Sequence, residues 1–145
     1  METIEQIYNI TPDKYGWRKL SNGNFIKIGI NVKLGNDVWL GNGVKLGNCV
    51  TLGNRVRLGN WVKLGDNVTL GNGVELGDNV TLGNGVELGD GVTLGNNVWL
   101  GDGVELLTQQ EADRYIKANK ANQELKAKVF NLEIKLNDIK KSLES

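Results

Sequence analysis

Several residue types are scarce in this chain, and each shortage narrows what the protein can be. The sequence contains no histidine, one proline and one cysteine, and only 6% of its residues are aromatic. A lone cysteine, Cys49, excludes an internal disulfide, and its place in a predicted turn indicates an exposed side chain. Histidine is the side chain that most often serves as a general base near neutral pH and as a metal ligand. We therefore predict no cofactor and no metal site.

The chain also lacks an excess of charge of either sign, and it lacks long apolar runs. Seventeen lysines and arginines balance seventeen aspartates and glutamates, so the formal net charge is zero. A general basic surface for nucleic acid is therefore not expected. No apolar run is long enough for a transmembrane helix, and Met1 is not followed by the basic and apolar regions of a secretory signal. We predict neither a nucleic-acid partner nor a membrane partner.

Glycine, in contrast, is abundant, and most of the glycines belong to one repeat. The stretch 29–106 divides into thirteen six-residue units, of which Gly29-Ile-Asn-Val-Lys-Leu34 is the first. Every unit starts with Gly, has Val fourth and Leu sixth, and no insertion interrupts the register. Val and Leu lie on one face of a short strand, and the Gly, Asn or Asp and variable residue between strands tolerate positive φ, which predicts a turn. Such strands bury their apolar face only by stacking into a coil.

This Leu-Gly-x-x-Val-x pattern resembles the hexapeptide-repeat proteins, whose fold is a left-handed parallel β-helix. The resemblance covers just over half of the chain and implies an all-β triangular prism over residues 29–106. In that family three units make one coil, so every third unit is stacked on the same face. Known members are usually parallel homotrimers, and the resemblance implies the same here.

The resemblance also bears on catalysis. Most hexapeptide-repeat proteins are acyltransferases with a His general base at the subunit interface and loops that leave the prism. A related branch is carbonic anhydrases, which hold a metal with three His. This chain has no His and no loop within its thirteen units. We therefore predict that it is not an enzyme and binds no small-molecule substrate.

Residues 1–28 form the N-terminal arm. Their sequence patterns predict a cap that contains a hairpin and covers the open end of the coil. Thr3-Ile-Glu-Gln6 is a capping-box pattern for a short helix. Asn22-Gly23 between two apolar-containing runs predicts a β-hairpin. The segment Gly16–Ile26 also resembles a hairpin motif of bacteriophage tail-fibre proteins.

Residues 107–145 differ from the repeat because they contain no glycine, and their pattern predicts one long helix. Thr108-Gln-Gln-Glu111 is a second capping box, and apolar residues then recur in steps of three and four, as in a coiled coil. Phe130 and Ile134 lie off this seam and indicate packing beyond a minimal two-stranded zipper, or contact with another protein. With the fold resemblance added, we predict a three-stranded C-terminal coiled coil. The predicted trimer interface comprises Tyr115, Asn122, Leu125, Val129, Leu132, Leu136, Ile139 and Leu143.

Two features of the predicted outer surface suggest contacts. Trp39, Trp61 and Trp99 occupy outward positions, where Trp is typical of contact hot spots, and they are candidate partner contacts; packing between subunits is the alternative. Residues 29–64 carry five basic side chains and one acidic, a net charge of +4, whereas residues 65–106 carry seven acidic side chains and none basic. This asymmetry favours an acidic partner at the basic end, with drift among similar repeats as the alternative.

These observations favour a structural or interaction protein. Outward Thr residues are scattered among Lys, Glu and Trp, so the regular Thr array of an ice-binding protein is missing. The predicted trimeric rod resembles structural proteins of bacteriophage particles, and the hairpin resemblance agrees with this. Because the rod is short and has no separate receptor-binding domain, we predict a capsid decoration or cement protein bound to other virion proteins. A phage tail-fibre or baseplate component, a bacterial cytoplasmic scaffold derived from an acyltransferase, and an engineered repeat protein are the alternatives.

Overall fold

The computed structural model describes residues 3–144, in two helices and fifteen short strands. Two compact units result, one reaching to Ala112 and the other beginning at Asp113. The helices are α1 (Ile4–Asn9) and α2 (Gln109–Leu143). The strands are β1 (Arg18–Lys19), β2 (Phe25–Ile28), β3 (Lys33–Leu34), β4 (Trp39–Leu40), β5 (Val44–Leu46), β6 (Thr51–Leu52), β7 (Arg57–Leu58), β8 (Lys63–Leu64), β9 (Thr69–Leu70), β10 (Glu75–Leu76), β11 (Thr81–Leu82), β12 (Glu87–Leu88), β13 (Thr93–Leu94), β14 (Trp99–Leu100) and β15 (Glu105–Leu106).

Every third strand joins the same sheet, which makes the first unit a parallel β-solenoid of about four turns. The three sheets have the orders β1-β2-β5-β8-β11-β14, β4-β7-β10-β13 and β3-β6-β9-β12-β15. Neighbouring strands are in register three repeat units apart, as in the pairing of Lys45 with Lys63. Within the described part of the chain, only β1 pairs antiparallel to its neighbour. The predicted coil of three repeat units per turn is confirmed.

The interior of the solenoid consists of the stacked Val and Leu residues, as predicted. All of them are buried except Leu34, Val98 and Val104, which lie in the terminal coils and are partly exposed. No buried side chain among residues 3–144 is polar or charged. The apolar face of each strand is thus buried by equivalent residues in the coils above and below.

The coil begins one unit earlier than the strict repeat indicates. Gly23-Asn-Phe-Ile-Lys-Ile28 has the same spacing, with Ile in place of both Val and Leu. Its strand β2 pairs with β5, which places Ile26 against Val44 and Ile28 against Leu46. Strand β2 therefore belongs both to the solenoid and to the hairpin with β1, whose predicted presence is confirmed.

Helix α1 is attached to the first coil. Its predicted capping box is confirmed, because Thr3 and Gln6 exchange backbone-to-side-chain hydrogen bonds. Ile7 is fully buried. The Tyr8 hydroxyl donates to the Gly29 carbonyl oxygen at 3.0 Å and accepts from the Val32 N–H at 3.0 Å. These contacts attach α1 to the backbone of the first coil.

The turn chemistry differs from the prediction in one respect. Within residues 29–106, positive φ falls on the third residue of every unit, including Asn31 and Gly43, and not on the Gly that starts the unit. The first Gly is needed because successive coils approach closely. A Cβ on Gly35, for example, would lie 2.6 Å from the carbonyl carbon of Gly53.

The second residue of each unit connects neighbouring coils. The N–H of Asn36 donates to Oδ1 of Asn54 at 2.8 Å, and the N–H of Asn48 donates to Oδ1 of Asp66 at 2.6 Å. Both Asn and Asp supply this oxygen, which explains why the repeat alternates freely between them at this position.

The C-terminal end of the solenoid is closed by the start of α2. The Gln109 side-chain amide accepts from the Thr93 N–H at 2.7 Å and donates to the Thr93 carbonyl oxygen at 3.1 Å. The predicted capping box is confirmed, because Thr108 Oγ1 accepts from the Glu111 N–H and a Glu111 carboxylate oxygen accepts from the Thr108 N–H. Ala112 is fully buried.

Candidate interaction surfaces

The outward residues of each sheet form columns, and one column is uniformly basic over three coils. Strands β2, β5 and β8 place Lys27, Lys45 and Lys63 side by side in register. We call these three residues the lysine ladder. Thr81 and Trp99 continue the same column on β11 and β14. Sequence reasoning missed Lys27, because the strict Val and Leu pattern excluded the Ile-based unit that contains it.

The three candidate partner-contact tryptophans lie at separate places on the solenoid. Trp39 is on β4, in the first coil of the four-stranded sheet, and is 52% exposed. Trp99 is on β14, the last strand of the six-stranded sheet, and is 65% exposed. Trp61 is at the turn between β7 and β8 and is 54% exposed. The structure therefore does not bring them together into one patch.

Trp61 has an unusual backbone for an aromatic residue. It occupies the third position of its unit with φ 60°, a conformation that large side chains rarely adopt. Its indole lies directly over Gly43, where a Cβ would overlap the ring. Gly43 is thus required for the indole of Trp61 to lie where it does.

A cavity of about 200 Å³ lies beside this indole. It is lined by Asp13, Trp17, Phe25, Asn42, Gly43 and Trp61, and we call it the aromatic pocket. The Lys45 ammonium lies 5.3 Å from the Trp17 ring centroid, and the Lys19 ammonium lies 5.8 Å from that of Phe25. Sequence reasoning missed Trp17 as a surface contact because only the hairpin pairing places it next to the coil. It missed Phe25 because the Ile-based unit that contains it departs from the strict repeat.

A second, larger hollow of about 470 Å³ is lined by charges of both signs. Arg57 and Glu75 form an ion pair at 3.6 Å between two exposed side chains, and Asp37 and Arg55 also line the hollow. Two basic and two acidic side chains compensate each other here, so the hollow offers no net charge to a ligand.

The described residues contain no candidate metal site. Within residues 3–144 no three His, Cys, Asp or Glu side chains are grouped so that they could hold a metal ion. Cys49 is exposed, as predicted. Neither α1 nor α2 has the length and apolar character needed to span a membrane.

The predicted seam of α2 is solvent-exposed in the single chain. Leu125, Leu132 and Leu136 are 60%, 63% and 52% exposed, and Tyr115 is half-buried. Phe130 and Ile134, off the seam, are also exposed. The remaining seam positions Asn122, Val129, Ile139 and Leu143 are exposed as well.

Two family models match the solenoid. Residues 31–66 match the bacterial transferase hexapeptide (six repeats), and residues 62–76 and 76–104 match the hexapeptide repeat of succinyl-transferase. A comparison with curated proteins finds no match. The predicted resemblance of the Leu-Gly-x-x-Val-x units to hexapeptide repeats is confirmed.

Proposed function

We propose that this chain, which belongs to the hexapeptide-repeat proteins, is a non-enzymatic structural protein that assembles as a parallel homotrimer. The observation that carries the proposal is the exposed apolar seam along α2. An isolated helix is marginally stable in water, and most helical stability comes from packing an apolar face. Burying one leucine side chain contributes about 1.5–3 kcal/mol, so the seam favours identical copies beside it.

Family resemblance supports the finer features of this assembly. Known hexapeptide-repeat proteins are usually parallel trimers with a left-handed coil, and we propose the same hand and symmetry here. Tyr115, Asn122 and Val129 would then occupy a positions of a three-stranded coiled coil. Asn122 at such a position would specify register at some cost in stability.

The absence of catalysis is supported by the solenoid surface. Histidine is missing from the chain, and no loop leaves the coil between β3 and β15 to form a substrate cleft. In the hollow around Arg57 and Glu75 these two side chains form an ion pair, and the two basic and two acidic residues that line it balance in charge. A transferase is the second candidate, favoured by the names of the matching families. It would require a base other than histidine.

Location in a virus particle is the narrowest part of the proposal. The hairpin of β1 and β2 contains the segment that resembles a bacteriophage tail-fibre motif. We place the protein on a phage capsid as a decoration or cement protein, in contact with other virion proteins. A tail-fibre or baseplate component and a bacterial cytoplasmic scaffold are the alternatives. Cross-linking mass spectrometry on the native assembly separates them: cross-links to capsid proteins are expected, and cross-links to cytoplasmic bacterial proteins would contradict the placement.

Assembly is tested by sedimentation equilibrium of the full chain. We expect a trimer for the wild type, dissociation for Leu132→Glu, and an intact trimer for the control Asn131→Glu, which is one residue off the seam. A wild-type monomer at micromolar concentration would overturn the trimer.

Catalysis is tested separately by incubating the protein with acetyl-CoA, succinyl-CoA and amine or hydroxyl acceptors. Release of free CoA thiol is expected to stay at the rate without protein. Saturable release that follows protein concentration would favour the transferase instead.

A further inference from the structure

The lysine ladder holds three like charges without compensation. Parallel strands lie about 4.8 Å apart, and like charges directly opposite each other on neighbouring strands are destabilising. Lys27, Lys45 and Lys63 are all exposed, and none of them forms an ion pair with a carboxylate in the part of the chain described, residues 3–144. A row of anions along this column would remove the repulsion and form charge-assisted hydrogen bonds.

A second row runs beside the ladder, two residues earlier in each coil. Phe25, Gly43 and Trp61 precede Lys27, Lys45 and Lys63, respectively, by two residues. Gly43 leaves the middle of this row open, and the aromatic pocket lies there, between Phe25 and Trp61. Aromatic rings of the first and third coils therefore flank the pocket, beside the row of ammonium groups.

The backbone at Trp61 determines where its indole lies. Positive φ occurs at this position in every unit of residues 29–106, so the fold imposes it on Trp61 as it does on Arg55. The resulting side-chain direction places the exposed indole over Gly43, beside the aromatic pocket.

Polar groups in the aromatic pocket narrow the chemistry of its ligand. Asp13 Oδ1 accepts from the N–H groups of Tyr15 and Trp17 at 2.8 and 2.9 Å, which leaves Oδ2 to accept from a ligand hydroxyl. Asn42 adds a side-chain amide. A cavity of about 200 Å³ accommodates one ring and not a run of stacked bases. These features favour a hydroxylated ring over a nucleotide chain.

We propose that the aromatic pocket and the lysine ladder together bind an acidic polysaccharide. One sugar ring stacks its C–H face on Trp17 and Trp61 and donates a hydroxyl to Asp13. Carboxylates of the neighbouring rings lie along Lys27, Lys45 and Lys63. The Lys45 ammonium, 5.3 Å from the Trp17 ring, joins the two parts of the site. This binding activity goes beyond the structural role and does not rest on the oligomeric state.

The charge contribution is tested by isothermal titration calorimetry of the full chain with trigalacturonate. We expect saturable binding that weakens as NaCl is raised from about 50 mM to about 500 mM. Lys45→Gln is expected to weaken binding about tenfold, because it removes one charge-assisted hydrogen bond. The matched control is Lys33→Gln, an exposed lysine on β3 in another sheet, which is expected to bind as the wild type does.

The stacking contribution is tested with Trp61→Asn, which removes the indole while Asn tolerates the same φ. A loss of about tenfold or more is expected. Trp99→Asn is the control, since Trp99 lies in the same sheet as the ladder but does not line the pocket. Thermal unfolding of each variant checks that the solenoid is intact.

Three results would overturn the proposal. The first is no saturable binding of trigalacturonate at low salt. The second is unchanged affinity in both Lys45→Gln and Trp61→Asn. The third is tighter binding of single-stranded oligothymidylate than of trigalacturonate with the same dependence on these residues, which would assign the site to nucleic acid. Sedimentation of the same samples keeps these outcomes separate from a failure of the trimer.

Discussion

At the third position of each repeat unit the backbone is left-handed, and the residue found there determines how much strain the turn carries. Asn31, Asn67, Asn79 and Asn97 adopt this conformation at φ 56–60°, which Asn tolerates through local hydrogen bonding. Arg55 adopts it at φ 57° with a side chain that gains nothing from it. The fold therefore holds some residues in a conformation that their side chains disfavour.

Replacing Arg55 with Asn is expected to raise the free energy of unfolding by about 0.5–1 kcal/mol, because the turn loses its left-handed strain. Urea unfolding followed by circular dichroism measures this change. The comparison variant Arg57→Asn lies on β7 and loses the exposed ion pair with Glu75, so its stability is expected to fall slightly. Equal effects in the two variants would contradict the role of φ.

The Gly that begins each unit is required for close approach, and two of these glycines differ sharply. A Cβ on Gly53 would lie 2.7 Å from the carbonyl carbon of Gly71, whereas a Cβ on Gly95 would meet nothing within 4 Å. Gly53→Ala is expected to destabilise the solenoid by about 1–3 kcal/mol or more, since successive coils must separate. Gly95→Ala is expected to be neutral or stabilising by a few tenths of a kcal/mol. Thermal unfolding midpoints check both, and a similar loss in both variants would contradict the packing argument.

At the scale of elements, the ends of the solenoid are its exposed edges. Each terminal strand presents backbone N–H and C=O groups with no next coil to pair them, and such edges favour association with other strands. At the N-terminal end the Asn24 side-chain amide donates to the Leu40 carbonyl oxygen at 3.0 Å. Gln109 does the same for Thr93 on β13, the last strand of its sheet. Single side chains thus substitute for a missing strand.

Gln109→Ala is expected to lower stability by about 1 kcal/mol, because both backbone groups of Thr93 lose their partner. Amide hydrogen exchange at Thr93 should accelerate by about tenfold or less. Gln110→Ala is the matched control, as Gln110 is the next residue of α2 and is exposed. Unchanged exchange at Thr93 in the Gln109 variant would show that the edge is protected in another way.

For the whole molecule, the α2 seam makes stability depend on concentration. If copies associate through Leu125, Leu132 and Leu136, mass action stabilises the folded helix as concentration rises. We expect the midpoint of helix unfolding to rise by several degrees between about 1 µM and about 100 µM protein. Leu132→Glu should remove this dependence. A midpoint independent of concentration in the wild type would contradict association through α2.

The sequence by itself determined the solenoid. Gly, Val and Leu recur once in every unit without a slip, so each strand has equivalent neighbours three units away, and its burial follows from its own pattern. The two capping boxes and the Asn-Gly hairpin were equally local, because each depends on residues within a few positions of one another. Such short-range patterns can be read without knowing the fold.

Only the tertiary structure decided what lies beside the coil. Trp17 reaches the pocket because β1 folds back on β2 in one particular register, and Gln109 reaches Thr93 because α2 starts where the coil ends. The function of the first Gly also emerged only from the distance between coils. The contacts of Trp17 and Gln109 join residues whose separation in the chain follows no period. The role of the first Gly depends on how closely two coils approach. In each case the position of the surrounding backbone sets the geometry.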